Sequence, residues 1–272
     1  MSGDSQLTEW AGVTVSREAS ARLRRLLQRR QIGVLAGFLL LFGLIGVTRP
    51  DLFFDFESAE TLFLNWDDFS NILSRLLRQA APYVIIGIGM TYLMIGGEFD
   101  LSVGAMYGVA GLTFAMLLTE YRLTVPAALL AVLLVGATVG LANGVIVTKI
   151  GIPSLITTIG MMSILRGIAY MLTSGGSQQL PEDLALVDLF GGSITVAGVT
   201  ITYQVFWMVG LLIVFGLILG KTRFGHHVFA TGDDESAAGR SGIDTDRVKI
   251  ANFVITGLVT AFAGILAISY YG

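Results

Sequence analysis

A chain of 272 residues with 54% hydrophobic residues, only 14% charged residues and a mean hydropathy of +0.75 is too apolar for an ordinary soluble domain and reads as a polytopic membrane protein. It contains no cysteine, which excludes disulfide frameworks and thiolate metal or redox sites in this chain. The formal net charge of -3 matters less than where the charges sit, because charge position sets membrane topology.

Residues 1–30 form a basic segment, with Arg17, Arg22, Arg24, Arg25, Arg29 and Arg30 ahead of the first apolar run. Leu23, Leu26 and Leu27 would suit a short amphipathic helix on anionic headgroups, although a basic anchor that only sets topology is the simpler reading. Seven stretches then approach the roughly 20 residues that a helix needs to cross the hydrocarbon. They cover 31–47, 81–96, 103–119, 124–148, 153–173, 203–220 and 248–271, the second of them beginning earlier, within 71–80. The expected fold is an all-α polytopic bundle. The first run is followed by Thr48-Arg49-Pro50-Asp51, which lacks the small-residue pattern of a signal-peptide cleavage site, so it reads as a retained helix.

Lys and Arg are retained on the cytoplasmic side of short loops. A cytoplasmic N-terminus places the basic tail, Lys149 and the stretch 221–249 inside, and the acidic segment 51–68 and the loop 174–202 outside. Arg49, Arg75, Arg78 and Arg122 are exceptions, but they lie near helix ends, where a long side chain can snorkel.

Between the second and third spans the chain reads Gly96-Gly97-Glu98-Phe99-Asp100-Leu101-Ser102-Val103-Gly104. Carboxylates flanked by membrane-length apolar sequence are costly unless they face a bundle interior or an aqueous path. The glycines allow the helix to break there. Glu98, Asp100 and Ser102 are therefore candidate lining residues of a solute pathway. In the fourth span Gly136, Gly140 and Gly144 recur every four positions, a stripe along which helix backbones pack closely; Gly33 with Gly37 and Gly104 with Gly108 repeat it. Asn143 on that span reads first as an interhelical hydrogen-bond donor and second as a solute contact. Pro153 suits the start of the fifth span. Arg166 lies deep in that span and needs a partner, for which Glu98 or Asp100 is the obvious candidate; a structural ion pair and a place in the solute pathway stand level.

The stretch 221–247 carries the second informative feature. Asp233 or Asp234 can cap a short helix, small residues follow, and Gly242 suits a left-handed stop. A short capped helix with a small-residue face is built to dock, or else lies on its own protein. The adjacent His226 and His227 point in different directions and have no third histidine or cysteine beside them, so no metal site is expected. There is no Gly-Lys-Ser/Thr phosphate loop and no strand-Gly-x-Gly-x-x-Gly-helix unit, so no cofactor is expected on this chain and any ATP is bound elsewhere.

Three motifs in order, Asp100-Leu101-Ser102-Val103-Gly104, then Ile159 to Gly167, then Ala230-Thr231-Gly232 through Glu235, Ala237 and Ala238 to Ser241-Gly242-Ile243, resemble the permease subunits of ribose, xylose and galactose-type ABC importers over residues 65–272. The resemblance implies ATP-driven uptake of a simple sugar, of pentose or hexose class, through a cell-membrane subunit that is not itself an enzyme. It implies ATPase subunits inside that bind ATP and magnesium, an extracytoplasmic sugar-binding protein, and a second permease subunit, with no nucleic-acid partner. It further implies that 221–247 is the ATPase-coupling element, with Gly232, Asp234, Glu235, Ala237, Ala238, Gly239 and Gly242 as its residues. Glu98 and Phe99 stand where many members have glycine and isoleucine. Members also continue with further helices beyond the position of Gly272, so residues 31–272 are expected to be part of a longer transmembrane domain. Two other transport readings remain beside it, an ion-coupled secondary carrier using Glu98 and Asp100 and a branched-chain amino acid-type ABC permease; a membrane-embedded enzyme is more distant.

Overall fold

The computed structural model describes residues 37, 39–41, 43, 44, 66–173, 188–196 and 199–271. The chain divides into two units, Met1–Asn65 and Trp66–Gly272. In the first, residues 37, 39–41, 43 and 44 are helical, within the first expected span. The basic segment 1–30 and Gly33 lie outside the described residues.

The second unit opens with α1 (Trp66–Ile95), 30 residues long and beginning upstream of the expected start. Pro82 lies inside it, a position that membrane helices tolerate because neighbouring groups can satisfy the carbonyl left without its N–H partner. There follow α2 (Val103–Thr119) and α3 (Val125–Val145), the latter with proline in its first turn. A π-helical turn, Ile146–Ile150, extends α3 until Gly151, at a φ of 79° that only glycine adopts without strain, stops it. α4 (Ser154–Thr173) starts directly after Pro153, whose carbonyl accepts the amides of Ile156 and Thr157. Beyond α5 (Asp188–Gly191), strands β1 (Ser193–Val196) and β2 (Val199–Thr202) pair antiparallel, Ser193 opposite Thr202. This strand pair adds a small β element to the expected all-α bundle. α6 (Tyr203–Lys221), α7 (Arg223–Asp233), α8 (Glu235–Arg240) and α9 (Thr245–Tyr271) complete the described unit.

The helix α9 is the centre. In its most apolar stretch 67% is buried, against 11% in α6. Small residues make this possible. A Cβ on Gly140 would collide with the backbone of Phe253, one on Gly136 with the carbonyl of Gly257, and one on Gly144 with the Cα of Ile250, so the expected stripe packs α3 directly onto α9. Gly264 meets the carbonyl of Tyr107 on α2 in the same way, and Gly89 on α1 meets Thr256. The Gly104 and Gly108 pair does not serve this purpose: both face open space, because the opposite face of α2 carries Met106, Val109 and Ala110 into the core.

The ends are fixed by polar contacts. At one end Lys149 pairs with Asp246 at 2.6 Å, tying the exit of α3 to the start of α9. At the other, the Arg78 guanidinium hydrogen-bonds the Tyr270 hydroxyl and lies 4.9 Å from that ring's centroid, which gives one of the topological exceptions a local partner.

Gly140→Ala should destabilise the unit by about 1–3 kcal/mol through overpacking against backbone that cannot move aside, whereas Gly108→Ala should cost nothing and add up to about 1 kcal/mol through helix propensity. Denaturant unfolding of the two variants in detergent micelles checks the contrast.

Candidate functional site

The connection 96–102 joins α1 to α2 as irregular backbone, and in such a setting each polar group needs a partner. Nearly all of its amides have one. Gly96 and Glu98 donate to the carbonyls of Tyr92 and Leu93, and Gly97 donates to that of Met94 at a φ of 84°. Phe99 N donates to Ser154 Oγ at 3.3 Å and Leu101 N to Thr158 Oγ1 at 3.1 Å, so the first turns of α4 hold the segment. Ser102 N donates to Asp100 Oδ1 at 2.7 Å. The side chains alternate: Glu98, Asp100 and Ser102 are buried while Phe99 and Leu101 face outward.

Asp100 organises the inner side. Its Oδ1 also accepts the Ser102 hydroxyl at 2.5 Å, and its Oδ2 accepts Asn143 Nδ2 at 3.3 Å. Asn143 also reaches Ser102 Oγ at 3.2 Å, and so acts as a donor from α3 to both residues of the turn. The turn thus surrounds the Asp100 carboxylate with neutral donors, which stabilise a charged acceptor without neutralising it. Beside it a small cavity, with room for about one water molecule, is lined by Asp100, Ser102, Gly140, Gly257 and Thr260 among others. Asn143 Oδ1 and Thr260 Oγ1 are buried and lack a partner.

The expected pairing of Arg166 is corrected. Arg166 is exposed on α4, and no carboxylate among the described residues pairs with it. Glu98 is instead held by Lys249, the fifth residue of α9, whose Nζ lies 2.9 Å from Glu98 Oε1 and 2.8 Å from Glu235 Oε2. In the sequence Lys249 reads only as part of a basic stretch. The signal that could have singled it out is its place just inside an apolar span, where an ammonium needs a carboxylate.

In the 221–247 stretch, Asp234 Oδ1 accepts Ala237 N at 2.9 Å, capping α8, and Gly242 takes a φ of 87° after it. Ala238, however, is 5% exposed and packs against its own chain rather than facing outward. Glu235, Ser236, Gly239 and Arg240 are exposed, with Ala237 half-buried between them, and a Cβ on Gly239 would meet nothing. Gly232 acts elsewhere, letting the end of α7 touch the carbonyl of Ile95 and the Cα of Gly96. Among the described residues no group of three His, Cys, Asp or Glu side chains could hold a metal ion.

The model of a family described as branched-chain amino acid transport system / permease component matches residues 72–272. The chain is 32% identical to the L-arabinose ABC transporter permease protein AraH of Azospirillum brasilense over 87% of its own length and 64% of that protein's. It is 34% identical to the autoinducer 2 import system permease protein LsrC of Yersinia enterocolitica over 89% of its length and 62% of the relative's. The LsrC protein of Photorhabdus luminescens is 30% identical over 92% of this chain and 69% of the relative. The chain thus spans less than two thirds of the length of the first two relatives. No solved structure matches it.

Asp100→Ala should destabilise the unit by about 1–3 kcal/mol, because it leaves the buried Ser102 amide and the Asn143 side-chain amide without their acceptor. Asp100→Asn should cost less than about 1 kcal/mol, since its oxygen still accepts from Ser102 and its amide can donate to a flipped Asn143. Unfolding measurements on the pair separate the hydrogen-bonding role from the charge.

Proposed function

The chain belongs to the branched-chain amino acid transport system / permease component family, and from that premise we propose that it forms the membrane pathway of an ATP-driven importer for a simple sugar of pentose or hexose class. The sugar reading follows the arabinose relative and the motifs around Asp100, Gly160 and Gly232, which favour it over a branched-chain amino acid. The N-terminus and the Lys149 end face the cytoplasm, and the Arg78 end faces outward, toward an extracytoplasmic binding protein. ATP and magnesium sit on separate ATPase subunits.

The observation that carries this reading is α8, a helix capped at Asp234, stopped at Gly242 and left open along Ser236 and Gly239 at the end of the bundle most rich in Lys and Arg. An ion-coupled carrier has no need of such a helix. A second permease subunit completes the pathway alongside α4. Exposed Gly160, Ser163, Arg166 and Gly167 place small residues there on an otherwise apolar span, together with a guanidinium that has no carboxylate partner among the described residues. Glu98, Asp100, Ser102, Asn143 and Arg166 are the proposed pathway residues. Asp100, Ser102 and Asn143 shape the break at its inner mouth, and Arg166 faces the partner side.

Gly239→Arg adds bulk where the chain itself has none, so folding and insertion should be retained while association with the ATPase weakens by about tenfold, the scale of one lost interface contact. Co-purification of the ATPase with the solubilised permease measures this; equal recovery with the variant would remove α8 from the interface. Uptake of a labelled pentose or hexose by proteoliposomes holding the complete importer should require ATP, and uptake driven by an ion gradient without ATP would favour the secondary carrier.

A further inference from the structure

The same ammonium joins two elements that belong to different parts of the proposed transport cycle. Lys249 sits on the second turn of α9, Glu98 on the broken connection beside the solute pathway, and Glu235 in the first turn of α8, the proposed ATPase-docking helix. The Lys249 and Glu98 side chains are 14% and 12% exposed, whereas Glu235 is 49% exposed. Two carboxylates share one cation, so whatever draws Glu235 away leaves the whole ammonium to Glu98, and whatever brings it closer weakens the grip on Glu98.

The surroundings make this contact mechanically relevant. Gly232 brings the end of α7 against Ile95 and Gly96, immediately before Glu98, and Asn252, less than one turn beyond Lys249, donates from Nδ2 to Tyr92 O at 3.1 Å. The connection 96–102 is therefore held from three directions: by Ser154 and Thr158 of α4, by Asn143 of α3, and by the assembly of α7, α8 and α9. Of these, only the last includes the helix with the open outward face around Gly239.

We propose that Lys249 is a positioning residue for transport, passing displacement of α8 to the 96–102 connection by sharing its ammonium between Glu235 and Glu98. This rests on the reading of the chain as an ABC permease. Lys249 touches no solute; it sets where Glu98, and with it the Asp100 turn, stands when the ATPase closes. The shared charge gives the direction of coupling as well. A partner cation approaching Glu235 on the exposed side competes for it, transfers Lys249 to Glu98 and tightens the connection; release of that partner reverses the change.

The chain has no native cysteine, so spin labels can be placed without background. Phe99→Cys on the connection and Tyr121→Cys just beyond the far end of α2 are both at exposed positions. In the complete importer reconstituted with its ATPase, ATP with magnesium should shift the distance distribution between the two labels. Among complexes with ATPase bound, Lys249→Gln should reduce that population shift by about tenfold, a size usual for a lost coupling interaction. Lys249→Arg, which keeps the charge and can bridge both carboxylates, should restore it. Glu235→Gln keeps the Lys249 to Glu98 pair and so guards against a folding defect; it should reduce the shift as Lys249→Gln does. An undiminished shift in Glu235→Gln, or a Lys249→Gln response equal to wild type, overturns the proposal while the ABC reading stands. Failure of the wild-type chain to associate with any ATPase overturns both.

Discussion

The approach of α3 to α9 through glycine is the constraint on which the rest of the unit depends. Gly136, Gly140 and Gly257 remove the side chains that would hold two helix backbones apart, and Gly264 does the same between α9 and α2. Without a hydrophobic driving force between helices in lipid, van der Waals contact of this kind is what selects one arrangement. It also positions the site. Gly140 and Gly257 line the small cavity beside Asp100, and three residues further along α3 comes Asn143, which reaches Asp100. On α9 the same packing turns Lys249 toward Glu98.

A second constraint is that charge and backbone polarity must be answered locally wherever the chain departs from helix inside the bundle. The α1 to α2 connection meets it in two ways. Asp100 is answered by neutral donors, Ser102 and Asn143, which bind it in place without cancelling its charge. Glu98, two residues earlier, is answered by a cation. One carboxylate thus fixes a turn within the membrane domain, and the other connects that turn to the region outside the spans. Both face inward, but two residues of extended chain separate them by about 7 Å, far enough for one to meet α3 and the other the start of α9.

Much of this is legible in the sequence, and the exceptions have a common cause. The later spans, the Gly136 stripe, a helix cap at Asp233 or Asp234 and the Gly242 stop follow from signals within one element, and each is found in the structure, the cap at Asp234. Partners between elements depend on how each helix is rotated, which local sequence leaves open. Arg166 and Lys249 are both cations in or beside apolar spans, and Arg166 is the deeper, so depth alone favours it as the partner of Glu98. Rotation of α4 carries it to the exposed side, while the close packing of α9 turns Lys249 inward. Ala238 is ambiguous for a related reason: a small residue permits close contact equally with a partner protein and with its own chain, and here its own chain buries it. The β1–β2 pair has a signal of its own, β-branched residues at Ile194, Val196, Val199 and Ile201 on either side of Ala197-Gly198, but four-residue strands beside long apolar helices are easily taken for loop.

The distribution of burial carries the functional consequence. α9 and the faces of α1, α2 and α3 that meet it form a closely packed body, with Phe114, Phe253, Ile265 and Leu266 fully enclosed. α4 and α6 contribute few buried residues, and α4 exposes a polar and small-residue face that this body leaves uncovered. The proposed import role would require some helices to keep their mutual arrangement while others change theirs, and backbone-to-backbone contacts across glycine are poor candidates for change because a slip of one residue brings side chains into the gap. The movable contacts are then those made through side-chain hydroxyls and charges: Ser154 and Thr158 against the connection, and Lys249 between Glu98 and Glu235. Such bonds can be exchanged for others of similar strength without unpacking a core. The break between α1 and α2 is where the rigid body and the exchangeable contacts meet, which is why a nine-residue run carrying three glycines, two carboxylates and a serine can lie between long apolar spans and still be stable there.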